Sequence, residues 1–234
     1  MKDEAGSANG SAIRERSGSG IMSFTIWGRR SSSSAQRVFW ALDELGLDYR
    51  QIDAGRTFGV VDTPEYQSRN PFGLVPTLET DDGFVLWESN VIVRFLAATH
   101  PQGRLWPRDA RSRALSERWM DWTATVAAPA INRLFWQTAD GRRTGGRDGV
   151  DGGLAADLAV ADQALQRLAV LLGPARYVGG DQLTIGDIPL GVVVNRWFQL
   201  PVRRPPCAAL EAYYDRLCER PAYMDNVVKA PPVL

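Results

Sequence analysis

The hydrophobic period of this chain changes once, near residue 100, and that change limits the fold more than any other feature. Before it, short β-type runs alternate with amphipathic helical stretches. Phe24–Trp27 reads as a strand. Ser34–Leu45 reads as a helix, with Val38, Ala41, Leu42 and Leu45 at three- and four-residue steps and Gly46 where a helix stops. Tyr49–Asp53 is a second strand. Thr63-Pro64-Glu65 supplies a cap and a first-turn proline for a short helix ending at Asn70-Pro71. Leu74–Glu79 and Phe84–Trp87, joined by Asp81-Asp82-Gly83, read as a hairpin. Ser89 then caps a helix to Thr99 with Val91, Ile92, Phe95 and Leu96 on its inner face.

Beyond that point the strand signal ends. Leu115, Trp119, Trp122 and Val126 keep helical spacing, and Pro129 is expected to kink or split that helix. Leu154, Leu158, Leu165, Leu168 and Leu172 mark another helix, with two more at Asp187–Trp197 and Ala208–Glu219. The expected fold is therefore an α+β, thioredoxin-like domain of order βαβαββα with a mixed four-stranded sheet, followed by an all-α domain. The expected boundaries are a Gly/Ser-rich extension at 1–21, a first domain at 22–101, a linker at 102–109 and a helical domain at 110–234.

Charge and composition remove several classes of function. The 27 basic and 27 acidic side chains cancel, which argues against a nucleic-acid partner or an anionic membrane surface. No apolar run is long enough to span a bilayer. The two cysteines, Cys207 and Cys218, form no disulfide framework and suit a reducing cytoplasm. The single histidine, His100, stands at a helix end as a cap, so His-based triads and metal clusters are not expected.

Three features of the first domain converge on one chemistry. Val75-Pro76 stands at a strand mouth, where proline cannot join the ladder. A cis bond there would turn the Val75 main chain outward, toward an extended peptide. Glu88-Ser89 pairs a carboxylate with a helix N-terminus, which suits the ammonium and carboxylate of an α-amino acid head group. The third feature is the run Ser31-Ser32-Ser33-Ser34, between the first strand and the first helix. Ser34 or Ser33 is expected to cap that helix, and another hydroxyl can donate to an anionic sulfur. A thiol with an ordinary pKa of about 8.5 needs such a donor to ionise near neutrality.

The stretches "SSSSAQRVFWALDELGL", "PEYQSRNPFGLVPTLE", "VLWESNVIVRFLA" and "LTIGDIPLG" together resemble the cytosolic glutathione S-transferases, most closely the bacterial members. The resemblance spans residues 23–229. It implies glutathione as co-substrate, no metal, a small apolar electrophile as second substrate, a homodimer and a detoxification role. It places the catalytic serine six residues before Val38, at Ser32, with Ser33 the rival and Ser34 left as the cap. It also implies that Glu88 and Ser89 hold the γ-glutamyl end of glutathione, that Val75 and cis Pro76 clamp the cysteinyl unit, and that Asp187 is structural. Many relatives carry Gln, Lys or Arg where this chain has Leu74. Arg29, Arg30 or Arg69 is the expected replacement at the glycine end.

Trp119 is assigned to the core, whereas Trp122 and Trp136 are expected to line the second-substrate pocket, with the loop 141–153 as a lid. The alternatives are glutathione-dependent peroxide or disulfide reduction, and a non-catalytic interaction module of the same fold.

Overall fold

The computed structural model describes residues 23–143 and 152–231. The proposed N-terminal extension and most of the proposed lid lie outside these residues. Strand β1 (Phe24–Trp27) leads into α1 (Ser33–Leu45), β2 (Tyr49–Ile52), α2 (Pro64–Arg69), β3 (Thr77–Thr80), β4 (Val85–Trp87) and α3 (Ser89–Thr99). The sheet order is β2-β1-β3-β4, parallel between β1 and β2 and antiparallel elsewhere. This is the expected thioredoxin-like arrangement, with strands alternating as a half-covered sheet must: Phe24 and Ile26 are wholly buried, Thr25 and Trp27 only partly.

Helices α4 (Ala110–Trp122), α5 (Ala128–Arg143), α6 (Gly152–Leu172), α7 (Asp187–Gln199), α8 (Ala208–Cys218) and the short α9 (Pro221–Tyr223) follow. Helix α1 is the shared wall. Val38, Phe39 and Leu42 join the core under the sheet, whereas Trp40 and Ala41 join the core of the helical region. Trp40 packs over Tyr223, with ring centroids 4.7 Å apart. A side chain at Gly191 of α7 would come within 2.8 Å of the Trp40 ring, so only glycine lets α7 approach α1 this closely.

Several local expectations need correction. Strand β3 begins at Thr77 rather than Leu74, because Pro76 has no amide hydrogen to give the ladder. On α3, Val91 is exposed and Val93 is buried in its place, since the helix faces two cores rather than one. Leu115 and Val126 likewise face outward. Pro129 does not interrupt the helical run, whose backbone stays right-handed helical at Thr123 and Ala128. A wide π turn over Thr123–Ala127 precedes that proline, and the Ala128 amide bonds back to the Thr123 carbonyl. His100 caps α3 as expected, its Nδ1 3.0 Å from the Leu96 carbonyl oxygen. No helix among the described residues is long and apolar enough to cross a membrane.

Candidate functional site

Helix α1, the segment before β3 and the entry to α3 bring Ser34, Val75, Pro76, Glu88 and Ser89 around one cleft of about 80 Å³, with Asn70, Phe72, Leu74 and Trp87 completing its wall. Larger hollows elsewhere, such as one of about 480 Å³ along Glu44, Tyr177 and Arg220, hold none of the candidate residues. Converging polar groups, not volume, mark the site.

The Val75-Pro76 bond is cis. The main chain before it is held by a buried network. Tyr66 Oη donates to the Leu74 carbonyl at 2.6 Å, and Asn70 Nδ2 donates to the same oxygen at 2.9 Å. Both side chains also reach Thr77 Oγ1, at 2.9 and 3.2 Å. Burial raises the Tyr66 phenol above its ordinary range, so it stays protonated and keeps donating. Two carbonyl lone pairs are thus satisfied immediately upstream of the cis bond, while the Val75 amide and carbonyl pair with no described group.

Glu88 has φ +73°, a conformation that L side chains rarely adopt, at the entry to α3. It stands in the capping position and makes no side-chain cap bond. Ser89 is therefore the first helical residue and not the cap, which corrects the sequence reading. Glu88 is exposed, and both Glu88 and Ser89, the first residue of α3, line the cleft. Ser89 is buried, and its Oγ accepts from Arg37 Nη1 at 3.3 Å.

The serines divide differently from the expectation as well. Ser32, not Ser34, caps α1, its Oγ accepting the Ala35 amide at 3.4 Å. Ser34 lies inside the first turn and lines the cleft. Ser32 is buried and, like Ser33, is not among the residues lining the cleft; its hydroxyl proton is not committed by the cap bond, in which the oxygen only accepts.

The three arginines considered for the glycine end separate cleanly. Arg30 lies 4.4 Å over the Phe39 ring and donates to Gln51, Tyr49 and Asn226. Arg69 stacks on Trp27 and pairs with Glu79 at 3.0 Å. Arg29 alone of the three has a buried Nε without a partner. Its Nη1 lies where a Cβ at Gly55 would come within 2.7 Å, and the same Cβ would sit 3.5 Å from Val75. Gly55 has φ +81°, a backbone conformation that favours glycine. Burial and the nearby Arg56 lower the Arg29 pKa. Leu74 itself is exposed.

Neither Trp122 nor Trp136 lines this cleft. Trp136 is 40% exposed and lies under the Arg56 guanidinium at 4.9 Å, joining the helical region to the sheet region. Trp122 packs edge-on against the buried Trp119 at 5.5 Å.

Comparison with known proteins resolves the family. Residues 31–99 match the glutathione S-transferase N-terminal domain. The glutathione S-transferase GstB of Escherichia coli (strain K12) is 35% identical over 208 residues, covering 88% of this chain and 98% of that protein. The chain belongs to the glutathione S-transferase family. Glutathione S-transferase 3 of Zea mays is 28% identical over 219 residues, covering 88% of this chain and 94% of its own. The theta class glutathione S-transferase of Xanthomonas axonopodis pv. citri, in a crystal structure with glutathione bound, superposes with a TM-score of 0.80 at 40% identity. That match covers 90% of this chain and 99% of the other.

Within this transferase scaffold, sequence reasoning missed the supports behind the site. Tyr66, Asn70 and Thr77 hold the main chain at the cis bond, and Arg37 holds Ser89. The one available signal was polar identity at positions that periodicity assigns to a buried face, as at Asn70 and Thr77. Asp187 is structural as expected. Its carboxylate accepts from the Val178 and Thr184 amides, the Thr184 hydroxyl and Tyr213 Oη.

Proposed function

We propose that this chain is a glutathione transferase that binds glutathione in the cleft between α1, β3 and α3 and presents its thiolate to a small apolar electrophile. The observation that carries the reading is the convergence of Val75-Pro76 and Glu88-Ser89 on one cleft, with Ser34 of α1 in its wall.

In this reading the cysteinyl unit pairs with the unoccupied Val75 main chain as an added strand. The γ-glutamyl ammonium meets the Glu88 carboxylate, and its carboxylate meets Ser89 and the first amides of α3. Arg29 takes the glycine carboxylate in place of the residue that Leu74 replaces. Ser32 donates its hydroxyl proton to the sulfur while its oxygen still caps α1, with Ser33 the rival donor. No protein nucleophile is needed, because the thiolate is the nucleophile and the protein supplies position and field. The second substrate lies toward Trp136 and Trp122. Exposed Phe72, Leu74 and Val91 leave apolar surface of the kind that a homodimer covers, and the free Cys207 and Cys218 suit a cytoplasmic setting.

The test is glutathione-affinity capture followed by turnover against aryl halides, peroxides and mixed disulfides. Capture with aryl-halide turnover supports the reading. Capture with turnover of only peroxides or disulfides moves the protein to reductive chemistry, and capture without turnover makes it a binding module.

A further inference from the structure

Arg30 stands two residues before Ser32, in the turn between β1 and α1, and its guanidinium lies 4.4 Å over the Phe39 ring of α1. Its planar fork is held at three places. Nε donates to Gln51 Oε1 at 2.8 Å, Nη2 to Tyr49 Oη at 3.0 Å, and Nη1 to Asn226 Oδ1. The main chain of the same turn is tied as well. Gln51 Nε2 donates to the Gly28 carbonyl at 3.2 Å, Gln36 Nε2 to the Arg30 carbonyl at 3.0 Å, and the Ser32 amide to the Arg29 carbonyl at 3.0 Å. Arg30 forms no ion pair among the described residues, so neutral oxygens hold its charge.

Asn226 comes from the far end of the chain. After α9 the backbone widens into a π turn over Met224–Val228, closed by the Lys229 amide on the Met224 carbonyl at 2.9 Å. Asn226 is wholly buried in that turn. Its Nδ2 donates to Asp43 Oδ2 at 2.7 Å and to the Ala222 carbonyl at 2.8 Å, which leaves Oδ1 for Arg30. A flipped amide would set donor against donor at Arg30 and oxygen against two oxygens on the other side. The side chain therefore has one orientation, in which it links the Arg30 guanidinium to the Asp43 carboxylate in the last turn of α1.

We infer that Asn226 is a positioning residue for the serine run: through Arg30 it fixes the turn between β1 and α1, and so the place of the serine hydroxyl that donates to the glutathione sulfur. The inference rests on the glutathione reading and deepens it, because it makes thiol activation in the first domain depend on the C-terminal π turn. Misplacing a reacting group from a distance costs rate more than ligand contacts. Val75, Glu88 and Ser89, the residues proposed to hold the rest of glutathione, lie on other elements and are left in place.

The experiment measures thiolate absorbance of bound glutathione against pH, together with initial rates, for the full chain and for Asn226→Ala and Arg30→Met. Both variants are expected to raise the pKa of the bound thiol and to lower kcat at neutral pH by about tenfold, within the roughly 10²-fold that a misplaced group can cost. KM for glutathione should change by less than about twofold, as for an interaction felt in the chemical step rather than in binding. The double variant should be no worse than the poorer single one, since both cut the same link. Arg220→Met is the control. It removes the pair with Glu44, which also ties α1 to the C-terminal region, and should lower stability while leaving the thiol pKa in place. A thiol pKa unchanged in Asn226→Ala and Arg30→Met would overturn the inference, and so would an equal rise in Arg220→Met, which would trace the effect to domain docking in general. Should Asn226→Ala not fold by circular dichroism, Arg30→Lys keeps the charge but cannot bond all three acceptors at once. A raised thiol pKa there supports the inference, and an unchanged one rejects it. Wild-type protein that binds no glutathione would end the glutathione reading itself, a result distinct from bound glutathione whose thiol ignores Asn226.

Discussion

Ser32 Oγ accepts the Ala35 amide, so the residue proposed to face the glutathione sulfur is also the N-cap of α1. One side chain then carries two separable effects. Ser32→Ala is expected to cost about 1 kcal/mol of stability through the lost cap. It should also raise the pKa of the bound thiol. Turnover should fall toward or below the lower end of the roughly 10²–10³ seen when an oriented donor is removed, since the helix dipole and neighbouring amides remain. Ser34→Ala, which removes a cleft-lining hydroxyl and no cap, should leave stability nearly unchanged. The readout is thiolate absorbance of bound glutathione against pH. A pKa that moves only in Ser33→Ala transfers the role by one residue, and one that moves in none rejects a serine donor.

Glu88 offers a test that separates binding from folding. Its φ of +73° costs an L residue roughly 1–3 kcal/mol and costs glycine little. Glu88→Gly should therefore melt at or above the wild-type temperature while losing glutathione affinity. Glu88→Ala should lose affinity without the gain in stability. Calorimetric affinity that survives either change would remove Glu88 from the ammonium site.

Behind the cleft, Asn70 and Tyr66 both donate to the Leu74 carbonyl. Tyr66→Phe leaves Asn70 in place and should cost about 1 kcal/mol with a small rise in KM for glutathione. Asn70→Ala leaves a buried polar network short of a donor and should cost about 1–3 kcal/mol with a larger rise in KM. Denaturant melts and initial rates on the two variants check the order, and the reverse order would shift the main support to Tyr66.

Arg29 carries a prediction about ligand length. Arg29→Met should raise KM for glutathione and leave KM for γ-glutamylcysteine, which lacks the glycine, unchanged. Loss on both substrates would assign Arg29 to the fold, and loss on neither would return the glycine end to another cation.

Asp187 governs a pH dependence far from the cleft. Burial raises its carboxyl from 3.8 to about 6 in spite of the donors around it. The folded state thus binds more protons than the unfolded chain across that interval. Its contribution to stability is full below pH 3.8 and is lost as pH rises through about 6. Relative to Asp187→Asn, the wild type should lose stability from pH 4 to pH 6 and run parallel above it. A difference that grows in the opposite direction would mean that the donors outweigh burial.

Much of the first domain was legible because its signals are local. The cap and proline of Thr63-Pro64, the αL stop at Gly46 and the two periods each depend on a few neighbouring residues. The expectation failed where one helix serves two cores. Val91 and Val93 are equally apolar, and only the packing of α3 between the sheet and the helical region turns Val93 inward and Val91 to solvent. It failed again at the serines, where four identical residues carry no local signal that distinguishes cap from cleft wall.

The amino-acid sequence by itself determined the order of elements, the family, and the candidate set Val75, Pro76, Glu88, Ser89 and the serine run, because motif and period are written in consecutive residues. The tertiary structure decided which serine caps α1, which of the three candidate arginines keeps an unpartnered Nε and what Arg37 holds. Arg30 is occupied by Asn226, 196 residues away, and Arg37 reaches Ser89 across 52. Such partners meet only when hydrophobic burial has set α1 against α3 and the C-terminal turn. The assignment of each charge is therefore a property of the packed molecule, not of any segment of its chain.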